Sequence, residues 1–393
     1  MSSTTIVPLY VSKLTSSELA IGLIAVIANS GWFLPQLFTA NAVQRLPRKK
    51  PVVVNLGFFT ERLPVWLLPI SALLAVKSPT LALVLFFIGY AGHGLGAGIV
   101  ATAWQDLIAR TFPVTKRGRF FGITTFVGTG AGTLGAMLSA WLLANLVFAS
   151  NFVATFTIAA VFITVSCGFL ALTREPVHAI TAPRQSTREY WKSLPEILRI
   201  DPNFRRFLMS RLLLVLGGMG AGFVTVSAVQ RWQVPDGTVG LYTTALLLGQ
   251  TVGTLAFGLL ADRRGHKLSM EFGALAAALA YIIAWRAPSP AWYYLVFVLL
   301  GISTGAFIVS GLMIVMEFSP THQRPTYAGL VNTALGLLGM ISPLIGAWLA
   351  SNSYSWLFVI SAAFNLIGLA ALRWWVREPR WAGEETRQIE SAG

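Results

Sequence analysis

One cysteine, Cys167, is the whole thiol inventory of the 393 residues, and it lies inside an apolar run. A disulfide framework and a thiolate metal cluster within one chain are therefore excluded. Charge is almost as scarce. Asp, Glu, Lys and Arg make up 11% of the chain against 55% hydrophobic residues, too little for soluble domains of this length. Acids are the rarer sign, 15 against 29 bases, which leaves a net charge of +14. A nucleic-acid partner would gather that excess on one amphipathic face, whereas here the bases sit in short loops between apolar runs. The Gly-x-x-x-x-Gly-Lys-Ser/Thr loop that would cradle a nucleotide is missing, which argues against ATP as a driving force. Met1 to Lys13 lacks the basic stretch and apolar core of a cleavable signal peptide. No cofactor and no metal are expected.

Long apolar runs are what the chain has in plenty. About 20 residues of helix cross a hydrocarbon core of roughly 30 Å. Runs of that kind fall near 19–43, 52–76, 79–106, 119–147, 150–173, 203–230, 238–260, 268–286, 291–317, 326–349 and 355–376. The expectation is an all-α, multi-pass protein of the lipid bilayer, with about eleven complete spans. Arg45, Arg48, Lys49 and Lys50 share one loop, and Arg110, Lys116, Arg117 and Arg119 the next alternate one. Arg263 to Lys267, Arg324, Arg373, Arg377 and Arg380 continue the alternation, while the loops between carry little beyond Lys13, Lys77, Arg231 and Arg286. The positive-inside rule then makes the dense set and the C-terminus cytoplasmic, in a plasma (inner) membrane.

The polar linker, 174–202, has signals of its own. Ser186 with Glu189 forms a capping box, and Trp191, Leu194, Ile197 and Leu198 recur at helical spacing, which predicts a short amphipathic helix on the membrane face. Asp201-Pro202 reads as an N-cap and a first-turn proline opening the next span. An ungapped shift of about 207 lays Gly94 on Gly301, Gly98 on Gly305, Arg117 on Arg324, Gly122 on Gly329, Gly132 on Gly339 and Trp141 on Trp348. Two homologous halves follow.

The stretch Gly258-Leu-Leu-Ala-Asp262-Arg263-Arg264-Gly265-His266-Lys267 sits between two spans. Gly258 is expected to let two helices approach, Gly265 to permit a tight turn, and Asp262 to need a partner among the bases. This stretch resembles the signature loop of the major facilitator superfamily, which follows the second span of a six-span half. The resemblance implies two six-helix bundles, 1–173 and 203–376, joined by the linker and followed by a cytoplasmic tail, 377–393. It also implies a secondary carrier of a small organic solute, working by alternating access. Glu317 and Arg324 resemble the acid, six residues, arginine pattern of sugar porters. That resemblance implies a cytoplasmic latch of Asp262, Glu317 and Arg324, with Asp106 and Arg117 as first-half counterparts. The first-half loop departs from the signature, since Gln44 replaces the Asp and Pro47 the second Gly.

The first-half loop also follows one span where its counterpart follows two. A shift of about 218 sets Arg45 on Arg263 and Met1 near Met219, so Ile6 to Val11 reads as the tail of a truncated first span. The chain is expected to start upstream, or its gene to be shortened.

Glu61 and Arg62 lie about ten residues into an apolar helix, near mid-membrane at about 1.5 Å per residue. Adjacent residues do not face each other on an α-helix, so the two are not expected to neutralise one another. Glu61 is a candidate proton-coupling carboxylate and Arg62 a substrate counter-ion, against a structural ion pair to another span beside Pro64. His93, within Gly92-His93-Gly94-Leu-Gly96-Ala-Gly98, either relays protons or donates to a carbonyl. Asn29, Trp32 and Gln36, with Tyr242, Thr243 and Gln250, can line a central cavity, though some of these serve only as helix glue. Gly128, Gly130, Gly132 and Gly135 resemble the glycine-rich antiporter motif of drug exporters without its proline, so close helix packing is expected there. Gly301-Ile-Ser303-Thr-Gly305 matches a nucleophile elbow, which with His93 would mean an intramembrane serine hydrolase, but it sits mid-helix with no preceding strand. The reading is a proton-coupled carrier, not an enzyme, functioning as a monomer. A transporter-like sensor or scaffold is the alternative.

Overall fold

The computed structural model describes residues 3–44, 46–111, 114–175, 197–319 and 324–380. In chain order the elements are α1 (Ile6–Leu14), α2 (Glu18–Gln44), π-helical turns Val52–Leu56 and Phe58–Arg62, a 3-10 turn Leu63–Trp66, α3 (Leu67–Leu74), α4 (Pro79–Thr111), α5 (Val114–Asn145) and α6 (Ser150–Ala171). There follow α7 (Pro202–Gly217), a 3-10 turn Gly218–Gly220, α8 (Ala221–Trp232), α9 (Asp236–Arg264), α10 (His266–Arg286), α11 (Trp292–Phe318), α12 (Arg324–Asn352) and α13 (Tyr354–Trp375). Ten helices among the described residues are long and apolar enough to cross a membrane, Pro202–Trp232 counting as one. The expected span near 52–76 is the exception. It is helical, but Pro64 and Pro69 each withhold a backbone donor there, and the ladder passes through π and 3-10 geometry before α3 begins.

The chain divides into two compact units. The first is the described part of Met1–Arg184 with Gly222–Thr243 and Gly339–Trp348, and the second is the described part of Gln185–Ala221, Thr244–Leu338 and Leu349–Gly393. In the first unit α1 has every residue from Ile6 to Val11 buried. Tyr10 anchors it. Its ring lies 5.4 Å from Phe86, 5.0 Å from Phe152 and 5.1 Å from Phe156, and its hydroxyl is 2.7 Å from Ser71 Oγ. In the last turn of α1 Lys13 Nζ meets Asp236 Oδ1 at 2.8 Å, and ahead of its first turn the Thr5 and Thr243 hydroxyl oxygens lie 2.7 Å apart and Thr225 Oγ1 donates to Thr4 O at 2.7 Å.

The second unit is built around aromatic and aliphatic side chains of α7, α10, α11, α12 and α13, among them Phe204, Phe207, Met270, Ile314, Tyr327 and Leu372. Asp201 caps α7 as expected, accepting from Phe204 N at 2.8 Å, with Pro202 in the first turn. The internal repeat reappears as packing. A Cβ on Gly94 would meet Ile27 O at 3.2 Å and one on Gly98 would meet Pro35 at 2.9 Å, so α4 lies directly on α2. Gly305 brings α11 against α9 in the same way, 2.6 Å from Gln250 O, and Gly301 touches the Leu246 carbonyl. Small residues at these registers let backbones approach.

Other expectations are corrected. An added Cβ at Gly128, Gly130 or Gly135 meets no atom within 4 Å, so these glycines mark no close helix packing. Gly258 faces only Val309 Cγ1 at 4.0 Å and mediates no close approach. Gly265 does make the tight turn, at φ +91°. The capping box at Ser186 and Glu189 and the residues Trp191 and Leu194 lie outside the described residues, as does the tail beyond Arg380.

Candidate functional site

The intramembrane charges meet within the π-helical turn Phe58–Arg62, where Arg62 Nη1 donates to Glu61 Oε2. The expectation that Glu61 and Arg62 do not neutralise each other is therefore wrong. It rested on α-helical spacing, and this backbone is not α-helical. Both side chains are largely buried, at 15% and 9% exposure. Gly57 leaves room for the guanidinium, since a Cβ there would stand 2.6 Å from Arg62 Nη1. Gly92 packs on Pro64, and Gly96 on the Thr60 carbonyl, which presses α4 against this turn. One result is a link between spans: His93 Nδ1 lies 3.2 Å from Glu61 O. The carbonyl partner expected for His93 is thus the residue next to Arg62.

His93 also faces open space. A cavity of about 480 Å³ in the first unit is lined by Ile27, Ala28, Trp32, Tyr90, His93 and Phe162, with Ser3 at the start of α1. Trp32, a candidate for a central cavity, lines this one. Gln36 instead donates to Trp32 O at 2.6 Å, and Asn29 is exposed beside Gly339. Tyr242 and Thr243 are buried, and Thr243 Oγ1 donates to Val239 O at 3.0 Å. Gln250 presents its backbone to Gly301 and Gly305. Ser303 is buried at 6% exposure inside α11, with no strand before it.

At the basic end of the second unit, the segment after α13 ties several helix ends together. Arg380 donates through Nε and Nη2 to Glu317 Oε1 at 3.1 and 2.7 Å, and through Nη1 to the carbonyls of Ala261 and Asp262 at 3.2 and 3.1 Å. Glu378 Oε2 accepts from Lys267 N at 3.1 Å, capping α10. The Gly265 turn is packed against the Glu378 carboxylate. Burial pushes Glu378 up to about 7, helped by repulsion from Glu317 and opposed by the Lys267 amide. Its hydrogen bond to Glu317 raises Arg380 further. Glu271 sits between Lys267 Nζ at 3.4 Å and Arg373 Nη1 at 3.6 Å. His266 Nε2 is 3.9 Å from Glu317 and its Nδ1 3.2 Å from Ser310 Oγ.

Sequence reading paired Glu317 with Arg324 and Asp262. The partner found for Glu317 is Arg380, the Arg324 side chain lies outside the described residues, and Asp262 contributes its carbonyl while its carboxylate is exposed. The first unit has a parallel arrangement. Glu175 accepts from Lys49 N at 2.8 Å and Lys50 N at 2.9 Å, so it caps the third span as Glu378 caps α10. Lys49 is fully buried, with Nζ donating to Leu46 O at 2.8 Å and lying 3.6 Å from Asp106 Oδ2. Asp106 therefore meets Lys49, and the Arg117 side chain lies outside the described residues. The signal missed was a repeated Arg-Glu-Pro, at 174–176 and 377–379. Also missed was Arg211, the charge set deepest in the 203–230 run: it lies in α7 with its guanidinium carbon 4.7 Å from the Phe307 ring centroid.

Buried ion pairs, a walled cavity and charge-tied helix ends in a bundle of membrane-length helices define a polytopic membrane transport protein. The family model of the Major Facilitator Superfamily matches residues 1–234 and 228–391, and the chain belongs to that family. Among its relatives, a gallate transporter of Pseudomonas putida is 26% identical over 156 residues, 39% of this chain and 34% of the relative. A glucose transport protein of Synechocystis sp. is 30% identical over 182 residues, 44% of this chain and 37% of the relative. The matched region thus spans about a third of the length of these relatives. The partially occluded, inward-open xylose transporter XylE from E. coli aligns with a TM-score of 0.67 at 14% identity, over 96% of this chain and 94% of that one. A bacterial homologue of the iron transporter ferroportin gives 0.65 at 15%, over 95% and 94%. Both likenesses concern the fold. The family and its relatives are transporters, so the hydrolase reading of Ser303 falls.

Proposed function

We propose that this secondary transporter moves a small organic solute by alternating access and couples that movement to protons, as a monomer in the plasma (inner) membrane with its C-terminus cytoplasmic. One observation carries the coupling: His93 borders the cavity beside Trp32 and Tyr90 while bonded to the backbone of Glu61, whose carboxylate holds Arg62. A titratable ring that borders a cavity and bonds the backbone carbonyl of a residue in an intramembrane ion pair suits a proton relay between them. The names of the gallate and glucose relatives support a small organic solute. The charged contacts around Glu317, Arg380 and Glu378 act in this reading as a cytoplasmic latch, with Asp262, Arg263, Gly265 and Arg324 in the same loops.

The test is flux in reconstituted vesicles across a panel of metabolites and drugs, with and without an imposed pH gradient. Uptake or efflux that collapses with the gradient, and falls at least tenfold in Glu61→Gln and His93→Gln, is the expected result. Flux indifferent to the gradient removes proton coupling. Solute binding without flux would make the protein a transporter-like sensor.

A further inference from the structure

Arg211 is an arginine deep in a membrane span with no anion of its own among the described residues. It stands nine residues after Pro202, about 13 Å along α7 at about 1.5 Å per residue, so it is far from the end of the span. It is on the core side. Phe204, Phe207, Leu208 and Leu214, at helical spacings of seven, four, three and three residues from it, all belong to the buried cluster of the second unit. Its Nε is buried without a hydrogen-bond partner. Phe307 covers one face of the guanidinium, and Gly311 leaves the space beside Nη2 free, a Cβ there coming only to 3.6 Å.

The described carboxylates of the second unit are committed elsewhere. Asp201 caps α7, Glu271 serves Lys267 and Arg373, Glu317 serves Arg380, Glu378 caps α10, and Asp262 is exposed. Among the described residues Arg211 has no ion pair. Yet Arg211, Phe307 and Gly311 all keep part of their surface accessible. A cation in such a place calls for a counter-charge from outside the chain. Arg205 and Arg206 are exposed near the start of α7, so a single guanidinium acts here, which suits a monoanion better than a phosphate dianion. Its planar fork matches a carboxylate edge-on, while the Phe307 ring offers an apolar neighbour for the rest of a small molecule.

We propose that Arg211 is the counter-ion for the transported solute, and that the solute is a small organic monocarboxylate. This rests on the carrier reading above and names the substrate class for it. An arginine that merely holds α7 to α11 by stacking on Phe307 is the competing role, and the experiment separates the two.

The full chain in proteoliposomes is offered small aliphatic and aromatic monocarboxylates, each beside its primary amide, together with neutral sugars and inorganic phosphate. Wild type is expected to move at least one carboxylate and to reject its amide at least tenfold. Arg211→Gln is expected to lose that flux at least tenfold with its melting temperature within a few degrees of wild type, and Arg211→Lys to recover part of it. Should Arg211→Gln not fold, Gly311→Cys supplies the readout: its maleimide labelling is to be slowed by the transported carboxylate and not by the amide. Flux of neutral solutes only, or carboxylate flux unchanged in Arg211→Gln, overturns the assignment and leaves the carrier reading intact. Phosphate flux dependent on Arg211 overturns the monocarboxylate class. No flux of any solute from wild type overturns the carrier reading, and this proposal with it.

Discussion

Single side chains set the chemistry here, and each works through the backbone that presents it. Glu61 and Arg62 form a buried pair on a π-helical turn. Removing one partner of such a pair strands the other, at a cost of about 3–5 kcal/mol, whereas removing both costs far less. Glu61→Gln is therefore expected to destabilise the protein more than the double change Glu61→Gln, Arg62→Gln, as read from denaturation in detergent. Equal losses would mean the two charges are not coupled. Gly265 is fixed by two separate constraints, φ +91° and the Glu378 carboxylate lying against it. Gly265→Ala pays both penalties and is expected to lose at least about 1–2 kcal/mol in the same assay. That residue was legible in the sequence, because a glycine between two charged helix ends announces a turn. Arg62's partner was not, since hydrophobic periodicity does not distinguish α from π spacing over five residues. Glu317 was legible as an ion-pair member but its partner was misplaced: Arg380 is 63 residues away, and no local spacing points to it.

Helices were placed well by hydropathy, and caps such as Asp201-Pro202 gave their starts, because membrane length and orphan backbone donors are local constraints. The segment after α13 was the hidden element. It is irregular and charged, and it matters because Glu378 and Arg380 reach the ends of α9, α10 and α11. Its pH response can be worked out. Glu378 is raised from 4.5 to about 7 in the folded protein, so the fold holds its proton more tightly than the unfolded chain does. The proton-linked stabilisation is complete below about 4.5 and disappears as pH rises through about 7. Wild type is expected to lose melting temperature between pH 5 and 7.5 relative to Glu378→Gln, whose amide does not titrate. Parallel pH curves for the two proteins would rule out Glu378 as the source. The glycine registers make a second test at this scale. Gly98→Leu and Gly305→Leu each push a side chain into the neighbouring helix, against the Gly31 and Gln250 carbonyls respectively. Both are expected to destabilise by more than the about 1–3 kcal/mol of ordinary overpacking, because backbone cannot move aside as a side chain can.

For the molecule as a whole, the duplication was legible because it is written twice: the same glycines, one shift apart, bring α4 onto α2 and α11 onto α9. At the start of the described chain lies the nine-residue α1. Less visible was how firmly that short helix is held. Within the first unit, Thr4, Thr5 and Lys13 meet Thr225, Thr243 and Asp236, joining the start of the chain to the start of the second repeat. A carrier that alternates must part contacts between its repeats once per cycle, and a few neutral hydrogen bonds with one ion pair are weak enough to part and re-form at each turnover. Thr5 and Thr243 allow this to be tested, because their hydroxyls are 2.7 Å apart and a cysteine pair there can be bridged. In a Cys167→Ser background, Thr5→Cys with Thr243→Cys is expected to lose more than tenfold of its flux on oxidation and to regain it on reduction, with each single cysteine unaffected. Full flux through the oxidised pair would mean that this contact stays closed throughout the cycle. The opening would then have to be sought among other contacts, and α1 would be a fixed plug in place of a moving part.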